Sequence, residues 1–145
     1  MPPAHDSVIW PHREGLGKVL GDLELFVMEL VWKWPSAYPV TVKEVHQAAQ
    51  ESRPLAYTSV LSTMSNLVKK EALRVEKEHF AHRYWPTSSR EEFEQEMLSR
   101  LMGSLVKDFT APALQHFVGS LETVDPRLLD ALDAEIQRRR RQEAP

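Results

Sequence analysis

Cysteine is absent from the 145 residues. That excludes a disulfide framework, a thiolate zinc site and a thiol nucleophile. It fits a reducing cytoplasm, where the chain is expected to work. No apolar run approaches the roughly 18 residues of a membrane span, so no membrane insertion is expected. The N-terminus shows no basic region leading into an apolar core, so no signal peptide is expected. Acid-base pairs, a nucleophile constellation and a phosphate loop are also missing, which argues against an enzyme and calls for no cofactor. Overall positive charge is missing too, with a net −3.

The distribution of that charge is more telling than its sum. Residues 1–40 hold three basic and five acidic side chains, net −2. Residues 41–86 hold seven basic and five acidic, net +2. Residues 87–145 hold eight basic and eleven acidic, net −3. One middle segment is therefore the place where a polyanion would be welcome, because phosphate responds to the local field.

An apolar fraction of 42% with four Trp is enough for a real core. Residues 1–19 mix Pro, Gly and charge without a period and read as a flexible arm. The first helix is expected over Leu23–Lys33, with Asp22 as N-cap and Leu23, Val27, Leu30, Val31 and Trp34 inward. Pro35 stops it. Thr41 caps a second helix, Val42–Gln50, with Glu44 placed as its capping-box partner. Val42, Val45 and Ala49 point inward.

A third helix is expected from Tyr57 to Lys70. Val60, Leu61, Met64, Leu67 and Val68 repeat at helical spacing and form its inner side. Thr58, Ser59, Ser62, Thr63 and Asn66 are left on the other side. Elsewhere solvated helix surface in this chain is dense in Glu and Arg, as in SREEFEQEMLSR. An uncharged hydroxyl and amide face suits base edges and thymine methyls instead. Lys69 and Lys70 close the helix, where cations suit its dipole and reach phosphate.

Next comes a ribbon with a period of two. Leu73, Val75 and Tyr84 alternate with Arg74, Glu76 and Arg83, and the turn falls near Glu78–Ala81. Arg74, Lys77, His79, His82 and Arg83 are available to phosphate. His79 and His82 have H-x-x-H spacing, but no third ligand converges on them, so no metal is expected. Two short helices and a two-stranded ribbon form the layout of a winged helix-turn-helix.

Past Pro86 the pattern changes. Ser88 or Ser89 caps a long helix. Phe93, Met97, Leu98, Leu101, Met102, Leu105, Val106 and Phe109 make a wide apolar stripe along it. Pro112 opens a shorter helix (Ala113–Leu121) with Phe117 inward. Asp125-Pro126 opens a last one to about Arg141. So small a head cannot cover that stripe alone, so the later helices and a second copy are expected to share it. The run Arg138–Arg141 reads either as a nucleic-acid patch or as charge complementing the helix dipole beside Glu135 and Glu143.

The fold expected is mainly α with a small β wing. Residues 20–87 form a winged-helix head and residues 88–145 a helical dimerisation region. A winged-helix module that binds protein, not DNA, is the alternative that the acidic net charge leaves open.

Leu20, Glu24, Val27, Met28, Val31 and Trp32, then AYTSV (56–60), LVKKEAL (67–73) and the Tyr84-x-Pro86 close, resemble the penicillinase-repressor family. That family includes the β-lactamase, methicillin-resistance and copper-responsive repressors. The resemblance covers about Leu20 to Pro86. It implies a homodimeric repressor on double-stranded palindromic operator DNA, with Tyr57, Thr58, Ser59, Ser62 and Thr63 facing the DNA. In some members a membrane metalloprotease sensor triggers cleavage of the repressor. Five departures stand out. Asn66 replaces a common Arg, and Glu71 replaces the usual Gly, which predicts a different turn there. His79-Phe80 stands where Gly-Arg is common. The Cys-rich copper tail and an Asn-Phe cleavage pair are both missing.

Overall fold

The computed structural model describes residues 14–143. The chain divides at Met97 into two compact units. The first contains a short 3-10 turn (Gly15–Lys18), α1 (Asp22–Trp32), α2 (Val42–Gln50), α3 (Tyr57–Lys69), β1 (Leu73–Lys77), β2 (His82–Pro86) and the start of α4 (Arg90–Val124). The second holds the rest of α4 and α5 (Arg127–Glu143).

Three helices and the root of the ribbon supply the core of the first unit. Val27, Met28 and Val31 of α1, Val45 and Ala49 of α2, and Val60, Met64 and Leu67 of α3 are all fully buried. Each large side chain among them contributes about 1.5–3 kcal/mol by leaving water. Residues 14–19 are not part of an arm. The 3-10 turn buries Leu16, and Leu20 follows it into the core. The remainder of the expected arm, residues 1–13, lies outside the described residues.

The N-cap of α1 is Gly21, not Asp22. The Gly21 N–H donates to Glu24 Oε1 at 2.8 Å, so the N3 side chain caps the helix. A Cβ at position 21 would sit 2.9 Å from that oxygen, so a larger residue here would displace the Glu24 carboxylate. Thr41 and Glu44 form the expected capping box on α2, with Glu44 N–H donating to Thr41 Oγ1 at 3.2 Å and Thr41 N–H to Glu44 Oε1 at 3.1 Å.

The ribbon is antiparallel, pairing Leu73 with Pro86 and Lys77 with His82, and turns over residues 78–81 as expected. Val40 adds an isolated bridge to Tyr84. Val40 N–H donates to Tyr84 O and Tyr84 N–H to Val40 O, both at 2.9 Å.

Glu71 keeps the left-handed conformation at φ 63°, contrary to the different turn expected without Gly. The hydrogen bonds show why. Ala72 N–H donates to Leu67 O at 2.9 Å and Glu71 N–H to Val68 O at 3.0 Å. Together they form a Schellman close to α3 and satisfy its orphan carbonyls. A Cβ in this region costs about 1–2 kcal/mol. Glu71→Gly should therefore raise stability by about 1 kcal/mol, after its added unfolded-state entropy is subtracted. Urea titration checks this, and a loss of stability would mean that Glu71 makes contacts worth more than its strain.

Within α4 the helix is interrupted at Phe109 (φ −128°, ψ 21°). Pro112 explains the break. Its ring removes one N–H and crowds the carbonyl four residues earlier, at Asp108. The long helix and the shorter one read from sequence therefore join across this kink. Ser89 is the cap at the start, accepting from Glu92 N–H at 3.1 Å. Asp125 accepts from Arg127 N–H at 3.0 Å at the entry to α5.

Candidate nucleic-acid interface

The exposed residues of α3 are Tyr57, Thr58, Leu61, Ser62, Ser65, Asn66 and Lys69. They lie at steps of one and three, which is a single helical stripe. Its only charge is the terminal Lys69, which has no ion-pair partner among the described residues. The face expected from sequence is thus present, but rotated. Leu61 is 38% exposed, not inward. Ser65 joins the face and donates its hydroxyl to Leu61 O at 2.9 Å. The line 57, 61, 65, 69 carries the signal that could have found both.

Thr63 lies on the opposite flank. It is 7% exposed, and its hydroxyl donates to Ser59 O at 2.7 Å. It is therefore a satisfied buried group and not the outward-facing one expected. Thr63 and the half-buried Ser59 line an open hollow of about 580 Å³ between α3 and the start of α1, together with Thr58, Ser62 and Asn66. Asp22 also borders that hollow, and its carboxylate is matched by Arg53 Nη2 at 2.9 Å. That pairing limits the repulsion an anion would meet there.

Lys70 is also withdrawn from the expected phosphate contacts. Its Nζ lies 2.9 Å from Glu24 Oε1, with the two side chains only 21% and 13% exposed. Glu24 thus caps α1 and clamps the end of α3 with one oxygen. Its partner is 46 residues away, which no local pattern reveals.

Two further positioning groups escaped sequence reading. His46 Nε2 donates to Leu55 O at 3.0 Å, and Gln50 Nε2 donates to the same carbonyl at 2.8 Å. Together they hold the turn before α3, whose N-cap Ala56 offers no side-chain cap. The His46 ring meets the Tyr57 ring edge-on at 5.7 Å. Burial raises the Tyr84 phenol above its ordinary value, with Tyr57 adding to the effect.

On the wing, Arg74 lies over the Trp85 ring at 4.3 Å and pairs with Glu76 at 3.5 Å. Arg83 pairs with Glu78 at 3.2 Å. Lys77, His79 and His82 are exposed, and Lys77 has no ion-pair partner among the described residues. No cluster able to hold a metal ion occurs among the described residues.

The long apolar stripe is heterogeneous. Phe93 is 2% exposed and packs on Trp32 with ring centroids 5.6 Å apart. Met97 packs on the same cluster. Phe93 therefore belongs to the core of the first unit, correcting its placement at a dimer interface, and the half-buried Met97 packs beside that core. Beyond them Leu98, Leu105, Val106, Phe109 and Phe117 are exposed, and Leu101 and Met102 are half-buried. Leu114, Val124, Leu128 and Ile136 add to this apolar surface.

At the C-terminus Glu135 accepts from both Arg138 and Arg139. These bonds hold its carboxyl down at about 2. Because that value is depressed, the cluster persists above it and is lost only as pH falls through about 2. Two of the four arginines are thus engaged within their own helix.

No helix among the described residues is long and apolar enough to cross a membrane. The family model for the penicillinase repressor matches residues 20–138. The chain is 37% identical over 100 residues to the protein named transcriptional regulator BlaI in Mycobacterium tuberculosis strain CDC 1551 / Oshkosh, covering 68% of this chain and 71% of that one. The same protein name in strain ATCC 25618 / H37Rv gives the same identity and coverage.

Proposed function

Because this chain belongs to the penicillinase repressor family of winged-helix, DNA-binding transcription regulators, we propose that it represses as a homodimer on a palindromic operator. The exposed α3 face carries this reading. Thr58, Ser62, Ser65 and Asn66 offer hydroxyl and amide groups to base edges, and Leu61 offers an apolar contact to thymine methyls. Tyr57, Lys69 and Lys77 flank that face as backbone contacts, which position without specifying.

The dimer is supported by apolar surface. Leu98, Leu105, Val106, Phe109 and Phe117 are exposed to water in the isolated subunit. A second copy would bury them and set two copies of α3 about 34 Å apart, one turn of duplex. A neighbouring gene for a membrane metalloprotease would add that sensor as a partner.

The test is a mobility shift of the full chain with DNA from upstream of its own gene, under excess competitor DNA. A shift that survives competitor, from a species with the mass of two subunits, is expected. Loss of the shift to competitor would favour the protein-binding alternative, which the net charge of −3 suggests. Lys77→Gln should weaken all sequences alike and flatten the salt slope by about 1 for each phosphate that Lys77 neutralises. An unchanged slope would take Lys77 off the backbone.

A further inference from the structure

The wing tip carries a side chain that the family reading does not use. Phe80 is 102% exposed, more than any other large apolar residue described, and its nearest ring neighbour is His79 at 6.5 Å. The tip holding it is braced. Glu78 and Arg83 pair across the turn, and Lys77 stands opposite His82 in the register. With Glu78 neutralised by Arg83, Lys77 is the one unpaired charge around the ring among the described residues. A fully exposed aromatic set among cationic and imidazole groups is complementary to a polyanion with stackable faces.

We propose that Phe80 is an apolar wedge that enters the minor groove beside each half-site and unstacks one base step. This rests on the operator reading above. A five-residue strand reaches roughly 17 Å from its root, which exceeds the roughly 12 Å width of the major groove. The tip can therefore pass the flanking phosphate strand while α3 stays in the groove. Apolar side chains pushed between base steps partly unstack and kink the duplex, most readily at pyrimidine–purine steps. Lys77, His79 and His82 would then face the phosphates on either side. The wedge would be a specificity device that reads the deformability of a step, and no base edge.

The experiment uses the full chain and the upstream DNA fragment with 2-aminopurine placed singly along the flanks of each half-site. Wild-type protein should raise fluorescence at one position per half-site and bend the fragment in a circular-permutation assay. Phe80→Ala should abolish that rise, reduce the bend and weaken binding at least about tenfold. Phe80→Leu, which keeps an apolar wedge, should restore most of all three. Full exposure means that neither substitution disturbs the fold, and circular dichroism checks this. Equal affinity and bend for Phe80→Ala would overturn the wedge while leaving the operator reading intact. Weakened binding without any wild-type fluorescence rise would also overturn it, leaving only a surface contact. Wild-type protein that shifts no specific DNA would end both readings together. An unchanged DNA complex with loss of a protein partner would reassign the tip to protein docking.

Discussion

Ser62→Glu is expected to lower operator affinity at least about 100-fold while leaving the fold intact. Ser62 is exposed at the centre of the α3 stripe, so the larger side chain meets no core atom. In the complex its carboxylate would face base acceptors and phosphate in a confined groove. Each mismatched base pair typically costs about 1–3 kcal/mol, and a homodimer makes the error twice. The summed cost is a few kcal/mol, and about 1.4 kcal/mol is tenfold in affinity. Thr63 supplies the contrast. Its hydroxyl is bonded to Ser59 O and it is 7% exposed, so Thr63→Val should keep affinity within about threefold. Anisotropy titrations of both variants against the same fragment decide the matter. A Ser62→Glu protein that binds normally would remove α3 from the groove.

Phe93→Ala has the larger expected effect on stability, about 3–5 kcal/mol. The ring is buried within its own subunit against Trp32. Trp32 in turn donates its indole N–H to Ser88 O at 3.2 Å, tying α1 to the segment before α4. Removing the ring opens a cavity where the neighbours are fixed by that bond. Among the described residues the tryptophans are Trp32, Trp34 and Trp85, all before residue 98, so their fluorescence reads the first unit. The fall in urea midpoint should be the same at low and high protein concentration. Phe109→Ala, on the exposed surface, should instead change the mass of the assembly with little effect on the tryptophan signal. A Phe93→Ala effect that disappears at high concentration would return this residue to the subunit interface.

The helices and the wing turn are readable from sequence because each rests on a short-range period. The capping box at Thr41 and Glu44, the ribbon alternation and the entry at Asp125 are all local. Two of the departures share one cause, which is a partner far away in sequence. Lys70 looks free along the chain because Glu24 is 46 residues off. Phe93 looks like the first member of an interface stripe because Trp32, its neighbour in space, lies 61 residues earlier by the numbering. Leu61 and Thr63 exchange places because polarity and helical angle disagree there. Leucine reads as inward and threonine as outward, yet the 57, 61, 65, 69 line fixes the rotation. Glu71 shows the reverse case. There the local cost is real, but the closing hydrogen bonds of α3 hold the strained conformation anyway.

The joint between α3 and the wing sets a constraint on any duplex that fits both. Thr87, just after β2, donates its hydroxyl to Glu71 O at 2.7 Å and to Ala72 O at 3.1 Å, and its N–H donates to Ala72 O at 3.1 Å. Both ends of the ribbon are therefore tied together at the turn that closes α3. With α3 in the groove as proposed, the span from it to the wing tip would act as a caliper with a locked screw. Operators would then be sorted by how cheaply they fit that gauge, and spacer length and flexibility would weigh as much as the letters under α3.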